Sequence, residues 1–181
     1  THAQSIQSLL MHIPGLKVAM PATPADAQGM LLAALQDNCP WVILEHRALY
    51  ATEGLVPAGA HPGVPGRARV LRRGDAVTVV ALSGMVPEAL RAATVLAGYG
   101  VAAEVIDPCC LAPLDAATII RSVRRTGRLL CADTSWLTCG ATAEIAALAA
   151  ERIPRELKAP VLRIGLTACP TPVSSPLEQR H

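Results

Sequence analysis

The chain has 181 residues, 51% hydrophobic and 17% charged, with a formal net charge of +2. That is apolar enough for a sizeable core and too weakly basic to argue for nucleic acid, and four aromatic residues (Trp41, Tyr50, Tyr99 and Trp136) make no base-stacking platform. No apolar run is long enough to cross a membrane, and six cysteines without a C-x-x-C pair read as small buried thiols in a reducing cytosol.

Breakers and apolar runs predict alternating strands and helices. LKVAM (16–20) reads as a strand. PATPADAQGMLLAALQDN (21–38) reads as a helix, with Thr23 as cap, Pro24 in the first turn and Asp26 at the positive end, and Pro40 stops it. WVILEH (41–46) is a second strand. The Pro- and Gly-rich stretch that follows reads as a linker over 55–70 between a first unit, 1–54, and a second, 71–181. AVTVVAL (76–82) has the continuous apolar character of a parallel strand buried on both faces. A helix over 85–100, ended by Gly100, precedes the strand VAAEVID (101–107). A helix over 114–127 is capped by Asp115, carries Arg121, Arg124 and Arg125 at its negative end and stops at Gly127. RLLCAD (128–133), a helix over 140–153 and APVLRIG (159–165) complete the series. The fold class is therefore α/β: three layers, αβα, around a mostly parallel sheet with right-handed crossovers, preceded by a smaller strand–helix–strand unit.

Motif chemistry is sparse. No glycine-rich phosphate cradle is present, and Ser83 lacks the first Gly of a nucleophile elbow. RRGDAVT begins like a magnesium–diphosphate motif but runs straight into a strand. The cluster Arg67, Arg69, Arg72 and Arg73 reads as the solvated charge of an edge strand. Among the histidines, His46 gains interest because it ends a strand beside Glu45, where open α/β sheets bind ligands.

Three segments carry a resemblance: H-x-P-G-x-K-V-x-x-P at 12–21, EVIDxxxLxPLD at 104–115 and PTPxxxxLE at 170–178. With HAQS at 2–5 they run collinearly along nearly the whole chain. The sequence thus resembles the beta subunit of the thiamine diphosphate-dependent 2-oxoacid dehydrogenases, the pyruvate, branched-chain and acetoin group.

The resemblance implies a transketolase-like C-terminal domain preceded by the last part of a pyrimidine-binding domain, so the chain reads as a piece of a longer polypeptide. It implies that His2 is the catalytic histidine that handles protons near the cofactor, a task suited to an imidazole. It implies a structural potassium ion held by oxygens of Ala34, Asp37 and Cys39 at a helix end. Thiamine diphosphate and magnesium would be bound mainly by residues upstream of Thr1 and by an alpha subunit. The implied partners are that alpha subunit, a second beta subunit and a lipoyl acyltransferase core, in a bacterial cytoplasm. The chain by itself is expected to be inactive. Asp133–Thr134 and Cys139–Gly140 depart from the family's usual acidic pair and two glycines, which leaves an acetoin-type paralogue as an alternative for the substrate. Because the family's C-terminal domain is largely an assembly module, a non-catalytic assembly module is the other alternative.

Overall fold

The computed structural model describes residues 4–171 together with Ser174 and Pro176. A short helix, α1 (Gln7–Met11), leads into β1 (Lys17–Ala19), α2 (Pro24–Leu35) and β2 (Trp41–Ile43), followed by a 3-10 turn over Arg47–Leu49. Then come β3 (Arg69–Arg72), β4 (Val77–Ala81), α3 (Met85–Gly98), β5 (Ala103–Asp107), β6 (Cys110–Ala112), α4 (Ala116–Thr126), β7 (Leu129–Trp136), α5 (Ala141–Arg152) and β8 (Leu162–Leu166). No helix among the described residues is long and apolar enough to cross a membrane.

The strands form two sheets. The larger has the order β3-β5-β4-β7-β8 and the smaller β2-β1-β6. In the larger sheet β4 is parallel to β5 and β7, and β7 to β8, while β3 adds an antiparallel edge. β1 runs parallel to β2 and antiparallel to β6, so a strand from residues 110–112 completes a sheet begun near residue 17.

The side chains of β4 alternate between two cores, as the two-residue period of a strand requires. Val80, and Leu82 just beyond the strand, join Ile106, Ile119, Val123 and Ile145 beneath α4 and α5. Val79 and Ala81 join Val86, Ala93 and Val105 beneath α3. Helices thus cover both faces of the sheet, the three-layer arrangement expected.

The helix ends obey the local chemistry predicted for them. Thr23 Oγ1 accepts from the Asp26 N–H at 3.2 Å, and Asp115 Oδ1 accepts from the Thr118 N–H at 3.0 Å. Gly127 sits at φ +72°, in the left-handed region that closes α4.

Other details depart from expectation. α1 and β6 are too short to show a period, and the sequence pattern does not mark them as elements. Arg69 and Arg72 do lie on an edge strand, flanked by Arg67 and Arg73, but the cluster is not wholly solvated. Arg69 lies directly opposite Asp107 in the ladder and turns inward. The cysteines also divide. Cys109, Cys110 and Cys131 are buried, whereas Cys39, Cys139 and Cys169 are exposed because they occupy turns rather than strands, and the six form no disulfide with one another.

Candidate functional site

His2 lies outside the described residues. The segment that follows it is anchored in a definite way. Ser5 Oγ donates to the Thr134 carbonyl at 2.8 Å, and the buried Gln7 amide donates to both carboxylate oxygens of Asp133 at 2.9 Å. Burial pushes the Asp133 carboxyl up, while the Gln7 amide and the Thr134 and Ser135 N–H groups favour its charged form. The first described residues are therefore held on the second half of β7. Sequence reasoning missed Gln7 altogether. It saw Asp133 only as a departure from the family pattern, because a pair separated by 126 positions leaves no local signal.

His46 stands just beyond β2, where a cavity of about 230 Å³ opens between Pro21, Thr23, Glu45, His46 and Tyr50. The 3-10 turn places the ring: His46 Nδ1 accepts from the Ala48 N–H at 3.3 Å, so the proton of the neutral imidazole sits on Nε2. Burial lowers its pKa and keeps it neutral at pH 7. A Cβ at Gly84 would stand 3.0 Å from the ring, so the start of α3 approaches the imidazole closely because position 84 is glycine. Ser83 Oγ joins the same corner by donating to the Pro21 carbonyl at 3.1 Å.

Ala34, Asp37 and Cys39 lie together at the end of α2. The Ala34 carbonyl accepts from the Asp37 N–H at 3.3 Å, and the Cys39 N–H donates to Asp37 Oδ1 at 3.1 Å. Asp37 Oδ2 pairs with the Lys17 ammonium and accepts from the Trp41 indole N–H at 2.8 Å. Those donors hold its carboxyl below the usual range, Lys17 foremost.

A fourth cluster lies between α2, β3 and β5. Arg69 Nη2 is 2.5 Å from Asp26 and 3.1 Å from Asp107. Cys109, at φ +56°, donates its N–H to Asp107 Oδ1 at 2.9 Å and its thiol to Oδ2 at 3.4 Å. The donor atoms of Asp26, Asp107 and Cys109 fall within 4.8 Å of one another, close enough to share a metal ion. Arg69 already supplies the positive charge there, however, and burial followed by the two carboxylates pushes the Cys109 thiol far up, so it stays protonated. The chemistry is that of an ion-pair cluster, unsuited to the magnesium of a diphosphate cofactor.

A three-layer α/β unit with an antiparallel strand at one edge, joined to a second, smaller mixed sheet, is a transketolase-type arrangement. The chain belongs to the transketolase C-terminal domain family, which it matches over residues 66–181. Residues 1–53 match the transketolase pyrimidine-binding domain. Among curated proteins it is 41% identical over 180 residues to the beta subunit of acetoin:2,6-dichlorophenolindophenol oxidoreductase of Cupriavidus necator, covering 99% of this chain and 53% of that protein. It is 39% identical over 165 residues to the beta subunit of the pyruvate dehydrogenase E1 component of Bacillus subtilis, covering 91% of this chain and 51% of the relative. The chain thus spans about half the length of these relatives. A solved structure described as a split gene transketolase, an inactive beta4 tetramer, matches with a TM-score of 0.77 and 29% identity, over 89% of this chain and 51% of that one.

Proposed function

We propose that the chain is the second half of the beta subunit of a thiamine diphosphate-dependent 2-oxoacid dehydrogenase. The observation that carries this reading is the collinear 39% identity with a pyruvate dehydrogenase E1 beta subunit over 91% of the chain. In this reading His2 is the acid–base residue, exchanging protons with the reacting substrate as an imidazole does near neutral pH. The Ser5–Thr134 and Gln7–Asp133 contacts fix the segment that follows it. The cofactor supplies the electron sink for carbon–carbon cleavage, and its diphosphate and magnesium are held elsewhere in the assembly. A potassium ion at the end of α2 would be held by main-chain carbonyls of Ala34, Asp37 and Cys39, since the Asp37 carboxylate is already occupied by Lys17 and Trp41.

An alpha subunit, a second beta subunit and a lipoyl acyltransferase core are the proposed partners. Exposed Leu31 and Leu35 on α2, and Leu162 and Ile164 on β8, are the apolar side chains such neighbours would cover. The exposed free thiols Cys39 and Cys139 suit the reducing cytoplasm.

A second reading has its own support. Two acetoin oxidoreductase beta subunits, from Cupriavidus necator and Bacillus subtilis, match at 41% and 39%. Turnover of pyruvate, branched-chain 2-oxoacids and acetoin by the complete beta chain with its alpha subunit, followed by dye reduction, separates the two. Decarboxylation of a 2-oxoacid supports the first reading, cleavage of acetoin alone supports the second, and no turnover of any of them refutes both. His2→Ala should cost roughly 100-fold or more in kcat. An unchanged rate would leave His2 without a catalytic role, as the assembly-module reading requires.

A further inference from the structure

We propose that the cleft bounded by the segment 62–67, β3 and α4 binds a small molecule carrying two or more linked phosphate groups, of about nucleotide size. Its volume of about 820 Å³ falls within the range of small-molecule sites. Arg67, Arg69, Arg73, Arg121 and Arg125 line it, against the carboxylates of Asp26 and Glu104.

The ion pairs show how much of that charge is already balanced. Arg69 is matched by Asp26 and Asp107. Arg73 and Arg125 share the single carboxylate of Glu104, at 3.6 and 2.5 Å. Among the described residues the Arg67 guanidinium has no acceptor, and Arg121 has only the Thr118 hydroxyl, at 3.0 Å. Asp115 is near enough for Arg121 to favour its charge, so its carboxylate partly balances Arg121 while its oxygens also accept the Ala68 and Thr118 N–H groups. Arg67, and one of the two guanidinium groups that share Glu104, therefore face this cleft without a carboxylate of their own, with Arg121 only partly balanced beside them.

Planar guanidinium forks from different elements match the oxygens of a polyphosphate better than those of a single carboxylate. Arg67 comes from the segment before β3 and Arg121 from α4, so one ligand held by both fastens that segment to the helix. The same segment already donates the Gly63 N–H to the Gly29 carbonyl of α2 at 2.7 Å, so the ligand would act where the two sheets' surroundings meet. This site is separate from the thiamine chemistry and does not depend on it.

Calorimetry of the 181-residue chain with inorganic pyrophosphate, ATP, thiamine diphosphate and sulfate at matched ionic strength tests the idea. Pyrophosphate and ATP should bind at least tenfold more tightly than sulfate, with a dissociation constant of about 0.1 mM or below and a marked loss on adding salt. The double variant Arg67→Ala, Arg121→Ala, both exposed side chains, should weaken them at least tenfold, while Arg91→Ala on α3, outside the cleft, leaves them unchanged. Thermal shift provides a second readout: pyrophosphate should raise the melting temperature of the parent and not of the double variant. Binding no tighter than sulfate, or equal binding by the double variant, overturns the proposal. So does tight binding of thiamine diphosphate alone, which would mean that the thiamine rather than the phosphates is recognised.

Discussion

Replacing Arg69 by Met tests the ion-pair cluster most directly. The substitution keeps much of the aliphatic stem but leaves Asp26 and the fully buried Asp107 facing each other without a cation. Removing one partner of a buried pair costs about 3–5 kcal/mol, and because Arg69 is 36% exposed, solvent screening places the loss near the lower end, about 3 kcal/mol. The loss should depend on pH. Burial already raises the Asp107 carboxyl above its usual range, against the pull of the Cys109 N–H and of Arg69. Without Arg69 it rises further, so between the unfolded and folded values the native state holds the extra proton. Stability then falls as pH rises through that window. At the lower pH the native variant holds this proton more fully, which relieves part of the cost, and the full deficit appears only above the raised value. Urea denaturation followed by tryptophan fluorescence at pH 5 and pH 8 measures both points. Adding Asp107→Asn to the variant should recover more than half of the deficit at pH 8. A deficit below about 1 kcal/mol at pH 8, of the size of an ordinary exposed pair, or one equal at both pH values, would refute the reasoning.

Gln7→Glu places a second carboxylate against buried Asp133, so the pair should share a proton, and stability should drop as pH rises through its raised range. Amide exchange in α1 across pH 5–8 reads this, and a flat profile would count against the contact. Thr78→Val leaves the Ser122 and Thr126 hydroxyls without their buried partner at 2.7 and 2.9 Å, at a cost of about 1–3 kcal/mol by denaturant titration. Gly140→Ala brings a Cβ to 2.1 Å from the Trp136 carbonyl oxygen, a backbone atom, and should lower stability by about 1–3 kcal/mol; a neutral result would show that this turn is free to move.

Much of the architecture follows from short-range chemistry. Thr23, Asp115 and Gly127 act within one helical turn, and the apolar run 76–82 announces a doubly buried strand without reference to anything distant. What escaped was set by register. β6 has three residues and exists because β1 offers it an edge, and Arg69 turns inward because the antiparallel ladder sets it opposite Asp107. The functional elements divide in the same way. The approach of Gly84 to His46 and the Gln7–Asp133 pair join distant segments, so no window of sequence contains either.

The strand Cys110–Ala112, lent by the later part of the chain to the earlier sheet, bears on how the molecule comes apart. Residues 51–61 are exposed throughout, an inviting place for a protease. A cut there would sever the backbone without parting the pieces, since β1 stays zipped to β6, Ser83 stays bonded to Pro21 and Arg69 stays paired with Asp26. The two halves should melt together and, once nicked, run as one particle on a sizing column and as two bands only after denaturation.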